Sequence, residues 1–179
     1  HRSIGLVCAS NDDEKRPSER LQGYFDALRD SGLSYDPRHT IVYDAFHPDL
    51  ANDVVEILSR PDCPRAYYCI HSVYIPRFMR KARFLGKSIP RDFSLICYDL
   101  ADVFANLPLN MTFFNEPTRE AVTAALEQLQ AEMECPVPSP VVRKLRGSLV
   151  EGESCMRLET KSSINETMKT KTLIGEMCV

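Results

Sequence analysis

No stretch of this 179-residue sequence approaches the roughly 20 consecutive apolar residues that a membrane-spanning helix needs. The N-terminus, His1-Arg2-Ser3, leads straight into a strand-like run and shows no signal-peptide pattern, so the chain reads as cytoplasmic and as starting inside a longer polypeptide. Neither sign of charge dominates: 22 basic against 25 acidic residues leave a net charge of -3, which disfavours direct contact with DNA or RNA. The seven cysteines are scattered, none in a C-x-x-C pair, and read as buried free thiols rather than disulfides or a zinc site. The four histidines share no ligand spacing, so no metal is expected. The sequence also lacks a G-x-S-x-G elbow, a Walker loop, a G-x-G-x-x-G turn and an H-E-x-x-H helix, which argues against an enzyme and against a bound cofactor.

What is present is an ordinary globular composition, 44% hydrophobic, with a mean hydropathy of -0.26. That suits one domain, or one lobe of a larger one. Residues 3–9 form a short, almost wholly apolar run of the kind expected for a strand covered on both faces. Pro17 and Ser18 then open a helix with Leu21, Tyr24, Phe25 and Leu28 on one face, and Gly32 ends it. A second unit pairs a strand at 40–43 with a helix carrying Leu50, Val54, Ile57 and Leu58, stopping before Pro61. A third pairs a strand at 66–70 with a helix carrying Ile75, Phe78, Met79, Ala82 and Leu85, with Gly86 at its end. Residues 93–98 and 111–114 supply a fourth and a fifth strand. Strands separated by helices pair in parallel through right-handed crossovers, so the fold class is α/β, a doubly wound, mostly parallel sheet flanked by helices. Ligands in such sheets bind beyond the carboxyl ends of the strands.

The last third departs from this alternation. Pro117 begins a helix with Ala121, Val122, Ala125, Leu126, Leu129 and Met133 on its apolar face, ended by Pro136, Pro138 and Pro140. Residues 141–150 read as a final extended segment, and 156–179 as a mobile tail.

Four segments carry a family resemblance: residues 1–7, the Arg20-Leu21-Gln22-Gly23-Tyr24 turn, the run from Gly86 to Asp99, and residues 149–154. In this order and spacing they resemble the effector domains of LacI/GalR-type transcriptional regulators, over residues 1 to about 155. The resemblance implies a periplasmic-binding-protein-like domain (type I) of two lobes closing on a sugar, a nucleobase or a related metabolite. This chain is similar to the second lobe. It also implies that helix 117–133 crosses back to the first lobe, that DNA is read by a separate N-terminal head, and that the full protein is a homodimer.

The same resemblance points to one wall of a ligand cleft. Arg20 matches the family arginine, whose guanidinium offers bidentate bonds to ligand hydroxyls or a carboxylate. Asp99 matches the carboxylate that accepts bonds from ligand hydroxyls, and Phe46 stands where an aromatic ring stacks on the ligand. His71 replaces a family asparagine and Ser72 the aspartate after it, a departure that points to an unusual ligand or to lost sensing. Read without the resemblance, Arg20 is equally a solvated helix arginine, Phe46 a core or surface ring, Asp99 a loop or helix cap, and Ser72 the cap of the third helix. Two competing functions stand beside the sensor. One is a dimerisation or structural lobe that has lost its ligand. The other is a receiver-like signalling domain, whose acidic pair would be Asp12-Asp13; that domain needs an acceptor aspartate where Ile70-His71-Ser72 stands, so Asp12-Asp13 reads better as a solvated loop.

Overall fold

Parallel strands have no short connection available to them, so a chain that pairs strands in parallel must return over a face of the sheet between them. The computed structural model describes residues 1–12, 14–47, 51, 54–99, 107–135 and 141–157. Among these it shows β1 (Gly5–Ala9), α1 (Glu19–Asp30), β2 (Thr40–Tyr43), α2 (Val54–Ser59), β3 (Ala66–Cys69), α3 (Ile75–Phe84), β4 (Ser94–Tyr98), β5 (Thr112–Asn115), α4 (Thr118–Glu134) and β6 (Ser148–Val150). The sheet order is β2-β1-β3-β4-β5-β6. Neighbours pair in parallel as far as β5, and β6 closes the edge antiparallel to it. The expected doubly wound, mostly parallel architecture is therefore what the chain adopts.

Alternating side chains divide the core between the two faces. Leu6 and Cys8 of β1 pack with Leu21, Tyr24 and Leu28 of α1. Val7 and Ala9, one residue out of phase, join Val54, Ile57 and Leu58 of α2 and Ile75, Phe78 and Ala82 of α3 on the other face. Every residue of β1 is buried, as a central strand covered on both sides must be. Tyr67, Phe78 and Phe93 meet there with ring centroids 5.2 to 6.0 Å apart, in tilted and edge-on arrangements that favour the ring quadrupoles.

Local signals set the helix ends. Ser18 caps α1 by accepting from the Leu21 amide. Gly32 and Gly86 follow α1 and α3 with φ of 65° and 68°, the left-handed geometry that a residue with a Cβ resists. Ser72 is not the cap expected of it: it lies inside a 3-10 turn, Ser72–Tyr74, and no side chain caps α3, whose Pro76 simply lacks one of the amides needing a partner. Leu50, the expected start of the second helix, and residues 158–179 of the expected tail lie outside the described residues. The thiols also differ from expectation. Cys8, Cys69 and Cys97 are buried and free, but Cys135 and Cys155 are exposed. Burial pushes the Cys8 and Cys97 thiols up to about 12, with nearby Asp12 and Asp99 adding to the respective shifts.

The segment after β6 locks the amino ends of β4 and β5 together. Ser154, fully buried, accepts from the Thr112 amide at 2.8 Å and donates to the Leu95 carbonyl at 2.6 Å. The Leu95 amide in turn donates to the Ser154 carbonyl at 2.8 Å. Replacing Ser154 by Ala strands a buried amide, so urea unfolding should show a loss of about 1–3 kcal/mol. A loss within error would mean that water replaces the hydroxyl. Brief alkylation of the folded chain at mildly alkaline pH should label Cys135 and spare Cys8, Cys69 and Cys97, as peptide mapping by mass spectrometry would show.

Candidate functional site

Strand order in this sheet reverses between β1 and β3, where the chain has gone one way to β2 and then crosses to the other side. The loops leaving β1 and β3 diverge there and leave a crevice at the carboxyl edge. Asp12 follows β1 and His71 follows β3, and they meet in that crevice: the Asp12 carboxylate lies 3.2 Å from His71 Nε2. The same carboxylate accepts from the Ala9 amide at 2.7 Å, which fixes its direction. Its side chain is only 10% exposed, so the reading of Asp12 as a solvated loop residue is overturned; Asp13 lies outside the described residues.

Beside this pair lies a second arrangement. On the α1 face, Tyr98 at the end of β4 stacks on Phe114 of β5, ring centroids 5.3 Å apart. The Arg20 guanidinium, in the first turn of α1, sits 3.8 Å above the centre of the Tyr98 ring. Its Nη2 donates to Glu116 Oε1 at 3.0 Å. Both partners of this ion pair remain one-third exposed, so solvent screens it and its net worth to stability is small. Burial and the Glu116 carboxylate push the Tyr98 hydroxyl above its ordinary pKa, against a smaller opposing pull from Arg20.

These groups line one open cavity of about 930 Å³, closed on its far side by Ala121 and Val122 of α4 and by Arg143, Leu145 and Gly147. Of the residues singled out in the sequence, Arg20 and His71 line it together. Asp99 and Phe46 do not. Asp99 follows β4 directly, with φ of 54° and its amide donating to the Phe114 carbonyl at 2.8 Å. Phe46 lies beyond β2 and is 85% exposed. Both stand at the same carboxyl edge of the sheet, on strands to either side of the crevice. Sequence reasoning passed over Asp12, Tyr98 and Glu116. The signal was available for two of them, since Tyr98 ends β4 and Glu116 directly follows β5, at the edge where such sheets bind ligands.

The apolar face of α4 is only sparsely covered among the described residues, by Val141 and Leu145. Val122, Leu126, Leu129 and Met133 are 55–79% exposed, and no residue of the helix is buried. No helix among the described residues is long and apolar enough to cross a membrane, and no cluster of candidate ligands for a metal ion occurs among them.

A family model described as a periplasmic binding protein-like domain matches residues 1–155. A Rhizobium rhizogenes protein named "Probable opine utilization operon repressor" is 31% identical over 78% of this chain and 74% of its own length. The HTH-type transcriptional repressor CytR of Escherichia coli is 30% identical over 74% of this chain, which spans only 40% of that repressor. Among solved structures, a complex of the transcriptional regulator CelR with cellobiose superposes with a TM-score of 0.70 at 26% identity, covering 86% of this chain and 47% of that one. These relatives are transcriptional regulators, not enzymes.

One electrostatic consequence of the site is directly measurable. Glu116→Gln removes the carboxylate that raises the Tyr98 pKa while leaving Arg20, which lowers it, in place. The Tyr98 midpoint, followed by ¹³C NMR of the ring, should fall from above that of a free tyrosine toward it, with the part due to burial remaining. An unchanged midpoint would show that Glu116 does not act on Tyr98 in solution.

Proposed function

The chain belongs to the periplasmic binding protein-like family of LacI/GalR-type regulator effector domains, and from that premise we propose that it is the ligand-sensing second lobe of a cytoplasmic transcriptional regulator. The observation that carries this reading is the placement of Arg20, on the Tyr98 ring and beside the Asp12–His71 pair, at the topological switch point of the sheet. Polar groups that converge over an aromatic floor in one concave site suit a small polar metabolite. Relatives differ in what their names connect them to, cellobiose for one and opine utilization for another. For this chain the class spans sugars, nucleobases and amino-acid conjugates. Arg20 and His71 hold the ligand from this lobe together with Asp12 and Glu116, and Asp99 and Phe46 flank them on the same edge.

In this reading residues 1–155 form the C-terminal part of a two-lobed effector domain. The exposed face of α4 packs on the first lobe, which would give its apolar stripe the burial it lacks here. A ligand touching both lobes favours the closed arrangement in proportion to its differential affinity. In a homodimer the change in lobe angle alters how two DNA-binding heads sit on an operator. DNA is contacted only through those heads.

A thermal-shift screen against sugars, sugar phosphates, nucleobases and amino-acid conjugates tests the reading. A ligand at about 100 times its dissociation constant should stabilise the fold by about 2.7 kcal/mol. Arg20→Ala should abolish the shift without changing the unliganded melting temperature by more than a degree or so, since the pair it breaks is exposed. Absence of a shift with every compound, on a folded protein, would favour a lobe that serves assembly and no longer senses, the reading that the His71-Ser72 departure also allows.

A further inference from the structure

The cleft carries charged groups of both signs. Its wall carries three carboxylates, Asp12, Glu19 and Glu116, set against Arg20, Arg143 and His71. The wall holds a charged pair and a separate carboxylate–imidazole contact rather than a patch of one sign. Arg20 meets Glu116 at 3.0 Å, and Asp12 meets His71 at 3.2 Å. The Arg20–Glu116 pair is not locked away, both side chains being 34% exposed, whereas Asp12 beside His71 is only 10% exposed. Between and beside them lie apolar surfaces, the Tyr98–Phe114 stack and Val122 with Leu145.

Each ligand class meets this wall differently. A dianion such as a sugar phosphate can take the Arg20 guanidinium only by leaving the Glu116 carboxylate unpaired beside it, and like-charge juxtaposition is costly at a water-poor contact. A simple cation meets Arg20 and Arg143. A neutral polyol finds the strongest donor, Arg20, already bonded to a carboxylate, and covering that pair desolvates both charges without giving either a better partner. A ligand that itself carries a separated carboxylate and ammonium can exchange with the wall. Its carboxylate takes the guanidinium fork of Arg20, its ammonium takes the carboxylate of Glu116 that this frees, and no charge is left unpaired. Its carbon chain then lies on the aromatic floor.

We propose that the cleft is selective for a net-neutral zwitterion of the amino-acid type, with Arg20 and Glu116 as its paired anchors, in preference to a neutral sugar or a phosphorylated one. The proposal rests on the effector-cleft reading and adds the ligand class to it.

The test is ¹H–¹⁵N NMR titration of the 179-residue chain with L-glutamine, N-(1-carboxyethyl)-L-arginine, cellobiose, ribose and glucose 6-phosphate at millimolar concentrations. The zwitterions should perturb the resonances of Arg20, Tyr98 and Glu116, and the sugars and the phosphate should not. In Glu116→Gln, which keeps size and hydrogen bonding but not charge, affinity for the zwitterion should fall by about tenfold or more, the loss expected of one charge-assisted hydrogen bond. Perturbation of these same resonances by cellobiose or ribose and not by the zwitterions would overturn the ligand class and leave the effector cleft standing. Unchanged zwitterion affinity in Glu116→Gln would overturn the pairing. No perturbation by either zwitterion would likewise overturn the ligand class, while the effector reading stands or falls with the wider thermal-shift screen.

Discussion

Parallel pairing of β1 between β2 and β3 is the constraint on which the rest of the structure depends. Strands that run the same way bring all their carboxyl ends to one edge, and each connection must return over a face. Because the chain leaves β1 in one direction and crosses to the other side through α2, the loops after β1 and β3 separate and open the crevice. Residues that lie far apart in sequence are thereby gathered: Asp12 after β1, His71 after β3, Tyr98 closing β4 and Glu116 after β5. The same arrangement demands burial on both faces of the middle strands, which Leu6 and Cys8 meet toward α1, and Val7 and Ala9 meet toward α2 and α3.

The two faces are not covered equally. α2 and α3 close one side over a core that reaches from Ile41 to Met111. α1 alone covers part of the other, packing on Leu6, Cys8 and Ile70, and the surface presented by Tyr98 and Phe114 stays open. That opening is the cavity. It exists because α4, which follows β5, stands at its rim with its first turns and buries nothing. A 17-residue amphipathic helix with no buried side chain draws its stability from helix propensity and local pairs, which are weak in water, and so favours a partner surface.

Charge compensation is the chemical theme of the cleft. The Arg20 guanidinium is satisfied twice, by the Tyr98 ring below and by Glu116 at its edge. Asp12 is likewise satisfied by the Ala9 amide and by His71. Partial exposure keeps the Arg20–Glu116 pair exchangeable, because the cost of separating it is met in large part by solvent. At the opposite end of β4 and β5 the logic is reversed. Ser154 is wholly buried, and its hydroxyl joins the two strands permanently.

The alternation of strand and helix, the α1 cap at Ser18, the glycines that end α1 and α3, and the segments resembling LacI/GalR-type effector domains were all legible in the sequence, because each depends on near neighbours along the chain or on a fixed local pattern. Arg20 and His71 were legible as cleft residues through that resemblance and stand together in the cavity. The partners were not legible. That Asp12 turns inward to His71, and that Arg20 sits over Tyr98 and binds Glu116, depend on contacts across spans such as 59 and 96 residues of chain, which no local pattern encodes. The sequence by itself determined the α/β class, its layers and the edge at which the strands' carboxyl ends gather, since the periods of hydrophobic side chains dictate which faces must be buried. Only the tertiary structure decided how the charges of that edge are paired, since pairing is a matter of angstroms between separate elements and is set by the register and twist of the assembled sheet.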